Sequence, residues 1–214
     1  MPKGIVFDLD GVLWDSSKFH EVAFLDVLKS YQVKNFNYYN FIGKKTIDVF
    51  QEFFLDNKIK INKDELAIIV KKKQDLAFKL IQEEQLVLDE LKETITVLSH
   101  NFKLGIASSS SRRNVDLFLS KSSIKHFTSV LSGDDVSKGK PDPEIYIQSC
   151  LNLDLKPNEV LVIEDAASGA TAAIKAGCNV CGVVNNNSNY KELKEVGVSR
   201  FITSVLEINR AVNV

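Results

Sequence analysis

The stretch Gly4-Ile5-Val6-Phe7-Asp8-Leu9-Asp10-Gly11 sets a short apolar run directly against two carboxylates and a glycine. Such a run suits a buried β-strand whose C-terminal end opens into a loop. The pattern recurs at residues 102–107, 160–163 and 180–184, each ending in polar residues, with shorter candidates at 129–131 and Phe201–Ile202. Helical patterns separate most of these runs: residues 114–119, a segment from Pro143 with Asp142 as N-cap, and residues 166–176 before Gly177. Strands alternating with helices predict an α/β fold with a parallel, doubly wound sheet.

Residues 16–85 break this rhythm, because they read as helical throughout and carry most of the Lys and Phe clusters. In residues 46–57 the apolar stripe is Ile47, Phe50 and Phe54; from Asn62 to about Glu84 it is Leu66, Val70, Ala77 and Leu80. Asn62 and Glu65 have the spacing of a capping box. The expectation is a core of residues 1–15 and 86–214 with a helical cap of residues 16–85 inserted over the strand ends.

The rest of the composition narrows the function. At 214 residues the chain can bury one good core with a smaller appendage, and its 44% hydrophobic and 26% charged residues are those of an ordinary water-soluble protein. Lys and Arg total 27 against 28 Asp and Glu, so no global field draws in a nucleic acid or an anionic membrane. The N-terminal apolar stretch, broken at Asp8, is too short for a secretory signal, and no run reaches membrane-spanning length. A cytoplasmic protein is expected, as a monomer or weak homodimer. Of three cysteines, Cys178 and Cys181 form a C-x-x-C without a second ligand pair, which reads as two buried thiols rather than a zinc or redox site.

Ligands of open parallel sheets bind at the carboxyl ends of the strands. That end should gather Asp8 and Asp10 after the first run, Ser108 after the second, and Glu164-Asp165 after the run at 160–163. Two like charges about 4 Å apart at an effective dielectric of 20 cost roughly 4 kcal/mol, so four such acids call for a cation. Oxygen donors with no nearby His or Cys favour Mg²⁺, which would reverse the local field and admit a phosphate. Lys140, in Gly139-Lys140-Pro141-Asp142-Pro143, is held extended by the following proline and can reach an anion. Ser108, Ser109 and the serines up to Ser111 precede a helix, where hydroxyls and free N–H groups make a phosphate cradle.

Asp8-Leu9-Asp10-Gly11, Ser108 after an apolar strand, Lys140-Pro141, and Glu164-Asp165 with Gly169 resemble, in order, the four motifs of the haloacid dehalogenase superfamily. The likeness spans nearly the whole chain and is nearest to β-phosphoglucomutase-type members and small-metabolite phosphatases. It implies a Rossmann-like core with a helical cap, with Asp8 as nucleophile forming an aspartyl-phosphate and Asp10 as acid, then base. It also implies Mg²⁺ on the Asp8 carboxylate, the Asp10 backbone carbonyl and Asp165, with Glu164 nearby. Crowding beside Asp8 should raise the affinity of Asp10 for a proton.

Cap residues should choose the substrate, a small phosphorylated metabolite such as a sugar phosphate. Lys73 lies on the apolar stripe of its helix, where a lysine either snorkels to solvent or points into the cleft; family members with a similar lysine favour the cleft. His20 is by default a surface histidine, although related mutases have one at this spacing. Gly43-Lys44-Lys45-Thr46 resembles the substrate-specificity turn, which makes Lys44 a candidate contact; the mutases carry arginine at the place of Thr46, so a phosphatase is favoured over a phosphomutase. The family's Pro-Gly before the helix that returns to the core is replaced by Val87-Leu88-Asp89. Metal-free dehalogenation is disfavoured by Asp10 and Glu164-Asp165, and a non-catalytic binding role by the intact acids.

Overall fold

The structure, a computed structural model, describes residues 2–31, 33, 35–85, 89–184, 187–208 and 212, with only the backbone of 187 and 188. A six-stranded sheet in the order β3-β2-β1-β4-β5-β6 contains β1 (Gly4–Phe7), β2 (Lys103–Ala107), β3 (Phe127–Leu131), β4 (Val160–Glu164), β5 (Asn179–Val183) and β6 (Phe201–Ile202), and every pairing is parallel. β1 lies inside the sheet, with Ile5, Val6 and Phe7 inaccessible to solvent. A strand buried on both faces has to be apolar throughout, which is why the run is continuous rather than alternating. Ile5 and Phe7 enter one core cluster and Val6 the other, so the strand joins both layers.

Around the sheet run α4 (Asp89–Ser99), α5 (Arg112–Ser122), α6 (Glu144–Asn152), α7 (Ala167–Ala176) and α8 (Asn187–Glu195). Helix α7 ends at Gly177 with φ +86°, a left-handed position that costs glycine little. Pro143, not Asp142, is the residue flanking α6, because the helix starts one residue later than the proline rule places it; the Asp142 carboxylate still accepts from the Glu144 N–H at 3.1 Å. The Lys140–Pro141 peptide is cis.

Between β1 and β2 lie α1 (Ser17–Leu28), α2 (Thr46–Asp56) and α3 (Lys63–Gln82), bound by an aromatic cluster that includes Phe24, Phe41, Phe50, Phe53 and Phe54. The Asn62–Glu65 capping box is formed. In α2 the buried stripe is Val49, Phe50, Phe53 and Phe54, at helical spacing, and Ile47 falls one step off it into solvent. In α3, Leu66 and Ala77 are buried as read, Val70 and Leu80 only in part, and Ile69 and Ile81 take the deeper places. The cause is that α3 serves two cores: Leu66 and Ile69 join the aromatic cluster, while Ala77 and Ile81 join the sheet core.

Cys178 and Cys181 are buried free thiols in different clusters. Trp14 packs against Phe118 of α5 in the sheet core, with ring centroids 5.5 Å apart. Val87 and Leu88, of the segment that returns the chain to α4, lie outside the described residues. Among the described residues no helix is long and apolar enough to cross a membrane.

Candidate active site

Register brings the chemistry together. Phe7 is level with Ile106 of β2 and Ile163 of β4, so the residues that follow, Asp8, Ser108 and Glu164-Asp165, emerge at one edge of the sheet. Asp8 leaves the strand with its N–H still donating to the Ile163 carbonyl at 2.9 Å, and Ser108 does the same to Leu131 at 3.0 Å. Gly11, at φ +88°, lets the loop turn back close to Asp165; a Cβ there would lie 2.0 Å from Asp165 Oδ2. Gly169 is needed for the same reason, since its Cβ would lie 1.7 Å from Glu164 Oε1.

Asp8, Glu164 and Asp165 are buried, and one oxygen from each lies within 4.8 Å of the others. Lys140 Nζ is also buried and donates to Asp8 Oδ1 at 2.6 Å, Glu164 Oε1 at 2.7 Å and the Ala107 carbonyl at 2.9 Å. Burial alone would strip its proton, but the Asp8 and Glu164 carboxylates outweigh that and hold Lys140 as a cation. Burial pushes the Asp8 carboxyl up to about 8, against Lys140 and with the help of Glu164 and Asp10. Burial, then Asp8 and Glu164, hold Asp165 well above the usual carboxylate range.

Fully ionised, three carboxylates against one ammonium would carry two negative charges, the complement of one divalent cation. An all-oxygen set of this kind fits Mg²⁺. Glu164 is already occupied: Oε1 also accepts from Tyr146 Oη at 2.6 Å, and Oε2 accepts from the Ala166 N–H at 3.3 Å. Its contacts hold Lys140, which leaves Asp8 and Asp165 as the carboxylates that could face a cation.

Asp10 looks the other way, toward α1 and α3. It accepts from the hydroxyls of Ser16 and, at 2.5 Å, Ser110, and His20 Nε2 lies 3.3 Å from Oδ1, outside hydrogen-bonding angles. Burial pushes its carboxyl up, yet His20 and the hydroxyls of Ser110 and Ser16 outweigh burial and hold it well below the usual range. The expected rise from crowding by Asp8 is thus reversed, because two hydroxyls donate directly to Asp10 and His20 stands beside it.

His20 is buried rather than on the surface, and Lys73 is buried rather than snorkelled. Lys73 Nζ lies 2.7 Å from His20 Nδ1, 3.5 Å from Thr46 Oγ1 and 4.2 Å from the centre of the Phe24 ring. An ammonium donating to Nδ1 leaves the ring proton of a neutral His20 on Nε2, facing Asp10. Burial drives the Lys73 ammonium down to about 7, opposed by Asp10, while burial and then Lys73 lower His20.

Stability should depend on pH through Lys73. In the unfolded chain its proton leaves near pH 10.5 and in the folded protein near 7, so wild-type stability rises with pH between those values. Lys73→Met has no proton to lose. It is expected to gain on the wild type as pH falls through that window, by at most ~5 kcal/mol at pH 7. Urea unfolding of both proteins at pH 7 and 9.5 measures this; an offset that does not change with pH would contradict a desolvated Lys73.

Asp8, Asp10, His20, Thr46, Lys73 and Ser110 are among the residues that enclose a cavity of about 30 Å³ between the strand ends and the α1–α3 layer. Ser109 and Lys44 touch it as well, but Ser109 Oγ donates to the Gly43 carbonyl at 2.6 Å and Lys44 Nζ pairs with Glu52 at 2.5 Å. Ser108 Oγ accepts from the Ser110 N–H at 3.0 Å. The first N–H of α5, at Arg112, is capped by the Asp134 carboxylate at 2.8 Å, so part of the expected phosphate cradle is already filled by protein.

Ser16, Ser110 and Tyr146 do not stand out in the sequence as individual contacts. Ser16 could have been found as the residue that opens α1; Tyr146 carries no local signal, because its value to the site comes from a contact 18 residues away.

Residues 5–183 match the haloacid dehalogenase-like hydrolase family. A phosphorylated carbohydrates phosphatase of Thermotoga maritima is 31% identical over 204 residues, covering 91% of this chain and 91% of that protein. The β-phosphoglucomutase of Bacillus subtilis is 26% identical over 192 residues, with 85% and 83% covered. Among solved structures, a hydrolase from Pseudomonas syringae has the same fold, with a TM-score of 0.88 at 22% identity over 99% of this chain and 98% of that one. With the motif acids, lysine and glycines gathered at one sheet edge and the match running through most of the chain, the protein belongs to the haloacid dehalogenase-like hydrolase family.

Proposed function

We propose that the chain is a Mg²⁺-dependent phosphatase that hydrolyses a small phosphorylated metabolite, of the sugar-phosphate kind, through an aspartyl-phosphate on Asp8. The observation that carries this reading is the buried Lys140 ammonium bridging Asp8 and Glu164, which aims the nucleophile and opposes the protonation that burial favours. The likeness to a phosphorylated carbohydrates phosphatase over 91% of the chain supports the substrate class.

An oxygen of Asp8 attacks phosphorus and the bond to the leaving oxygen breaks, with Asp10 supplying that oxygen's proton. Asp10, ionised in the free site, gains the proton when a phosphoryl dianion is placed beside it, since a nearby negative charge raises a carboxyl's proton affinity. Asp10 then accepts a proton from water, which attacks the phosphoryl group and frees Asp8. His20 and Lys73 steer the Asp10 side chain, and Ser108 lines the phosphoryl side. The Asp8 and Asp165 carboxylates and the Asp10 backbone carbonyl would hold Mg²⁺, which would supply positive charge to offset phosphate and carboxylates in one site.

The cavity of about 30 Å³ has room for about one water, so substrate entry requires the α1–α3 layer to part from the strand ends. In this role residues 16–85 act as a cap on a core of 1–15 and 86–214. Opening breaks the Ser109–Gly43 bond, the Ser168–Ile42 bond at 2.8 Å and the Lys45–Val136 bond at 3.1 Å. Closing again excludes water from the reacting groups.

A panel of phosphorylated sugars assayed with Mg²⁺ and with EDTA tests the reading. Phosphate release should fall by at least ~1,000-fold in EDTA and return with Mg²⁺. Undiminished turnover in EDTA counts against the metal, and isomerisation of a sugar phosphate primed by a bisphosphate, without net phosphate release, marks a phosphomutase instead.

A further inference from the structure

Cys178 is adjacent not to Cys181 of the C-x-x-C but to Cys150, 28 residues away on the last turn of α6, with the two sulfurs 3.6 Å apart. We propose that Cys150 and Cys178 are a redox pair that hydrogen peroxide closes into an intrachain disulfide, and that this bond slows the enzyme through Tyr146.

The geometry is close to what a disulfide needs. A bond of about 2.05 Å asks the sulfurs to approach by about 1.5 Å, within reach of side-chain rotation at two element ends. Cys150 sits near the end of α6 and Cys178 directly after Gly177, where α7 gives way to β5. Both belong to the same cluster, packed with Tyr146, Ile145 and Ala173, whereas Cys181 faces the cluster on the other side of the sheet. Among the described residues no third His, Cys, Asp or Glu ligand atom is grouped with the two sulfurs. Cys178 is 9% exposed and lies between the exposed Gly177 and Asn179, and Cys150, 2% exposed, has its sulfur 3.6 Å behind it, so a molecule as small as peroxide has a short path to the pair on the Cys178 side.

The thiols are unequal. The hydrogen bond between the two sulfurs lowers Cys150 from the ordinary thiol value, and the same contact, with burial, raises Cys178. Cys150 thus ionises more readily than Cys178 and supplies the attacking sulfur. Its sulfur takes one oxygen of peroxide as the O–O bond breaks, giving a sulfenic acid and water. The Cys178 thiol then attacks that sulfur and expels a second water, so two thiols and one peroxide become one disulfide and two waters.

The link to the active site is one turn of helix. Cys150 follows Tyr146 by four residues on α6, and Tyr146 both donates to Glu164 Oε1 at 2.6 Å and sets its ring 5.1 Å from Lys140 Nζ. Drawing Cys150 toward Cys178 moves the helix that carries this support. A displacement on the order of 1 Å at a catalytic group costs up to ~100-fold, so a support one contact removed should cost roughly tenfold in kcat.

The covalent part is read without any assay of activity, and the kinetic part rests on the phosphatase reading. After peroxide treatment and removal of excess oxidant, the intact mass should fall by about 2 Da. The thiols titrated in denaturant should drop from three to one, and a proteolytic digest should contain the Cys150 and Cys178 peptides joined. Cys150→Ser and Cys178→Ser should each abolish the joined peptide, and Cys181→Ser should not. Peroxide should lower kcat in the wild type and in Cys181→Ser, with recovery in dithiothreitol, but not in Cys178→Ser. Three remaining thiols, a bond to Cys181, or sulfonic acids alone would overturn the pair. A fully cross-linked protein with unaltered kcat would overturn the coupling to Tyr146.

Discussion

Asp8→Asn should abolish turnover, lowering kcat by ~10⁴-fold or more, because the amide keeps the shape of the side chain but removes the nucleophile. The variant should nevertheless fold. Without metal, burial and the neighbouring acids raise the Asp8 carboxyl from its usual value to about 8, so the folded state binds its proton more tightly than the unfolded chain does. A group of that sign stabilises at low pH and loses its contribution as pH rises through the folded value. Metal-free wild type should accordingly lose stability relative to Asp8→Asn between about pH 4 and pH 8, and saturating Mg²⁺ should recover much of the loss. Phosphate release and thermal melts with and without Mg²⁺ provide both readouts, and residual turnover above ~1% of wild type would remove Asp8 from the role of nucleophile.

Lys140→Met should damage fold and chemistry together. The lysine side chain is fully buried between Asp8 and Glu164, and removing one partner of a buried ion pair costs about 3–5 kcal/mol because the remaining charges have no counterpart. Activity should fall by ~1,000-fold or more as Asp8 loses its orientation and the phosphoryl group its cation. The two effects separate in a double variant. Adding Glu164→Gln removes one uncompensated charge and should return part of the lost stability, yet no activity. Chemical denaturation of the two single variants and the double one gives the coupling directly. Wild-type stability in Lys140→Met would mean that the bridge between Asp8 and Glu164 contributes nothing to the fold.

The two predictions concern residues that the sequence marks plainly, and the reason is local. Asp8, Asp10 and Glu164-Asp165 each follow an apolar run, and a run that cannot face water on either side dictates a central strand whose end carries the next residue to the ligand edge. Lys140 is legible through its place in Gly-Lys-Pro before a helix. Where the reading of elements slipped, the slip came from long-range packing. Ile47 fits a buried stripe of α2 because periodicity allows more than one face, and the aromatic cluster selects the face of Val49 and Phe53. The direction of the Asp10 shift reversed because crowding by Asp8 is visible in a dipeptide spacing, whereas Ser110 lies 100 residues away.

The alternation of strands and helices along the chain, a helical insertion after the first strand and the acids of the site are consequences of short-range pattern, since burial on a strand or a helix face is written in the few residues around it. Whether Lys73 enters solvent or the cleft, that His20 stands between it and Asp10, that Tyr146 supports Glu164, and that Cys178 meets Cys150 instead of Cys181 were settled by tertiary packing. Each of those contacts joins residues from separate elements, and hydrogen bonds and van der Waals contact act only over a few ångströms of space, whatever the distance along the chain.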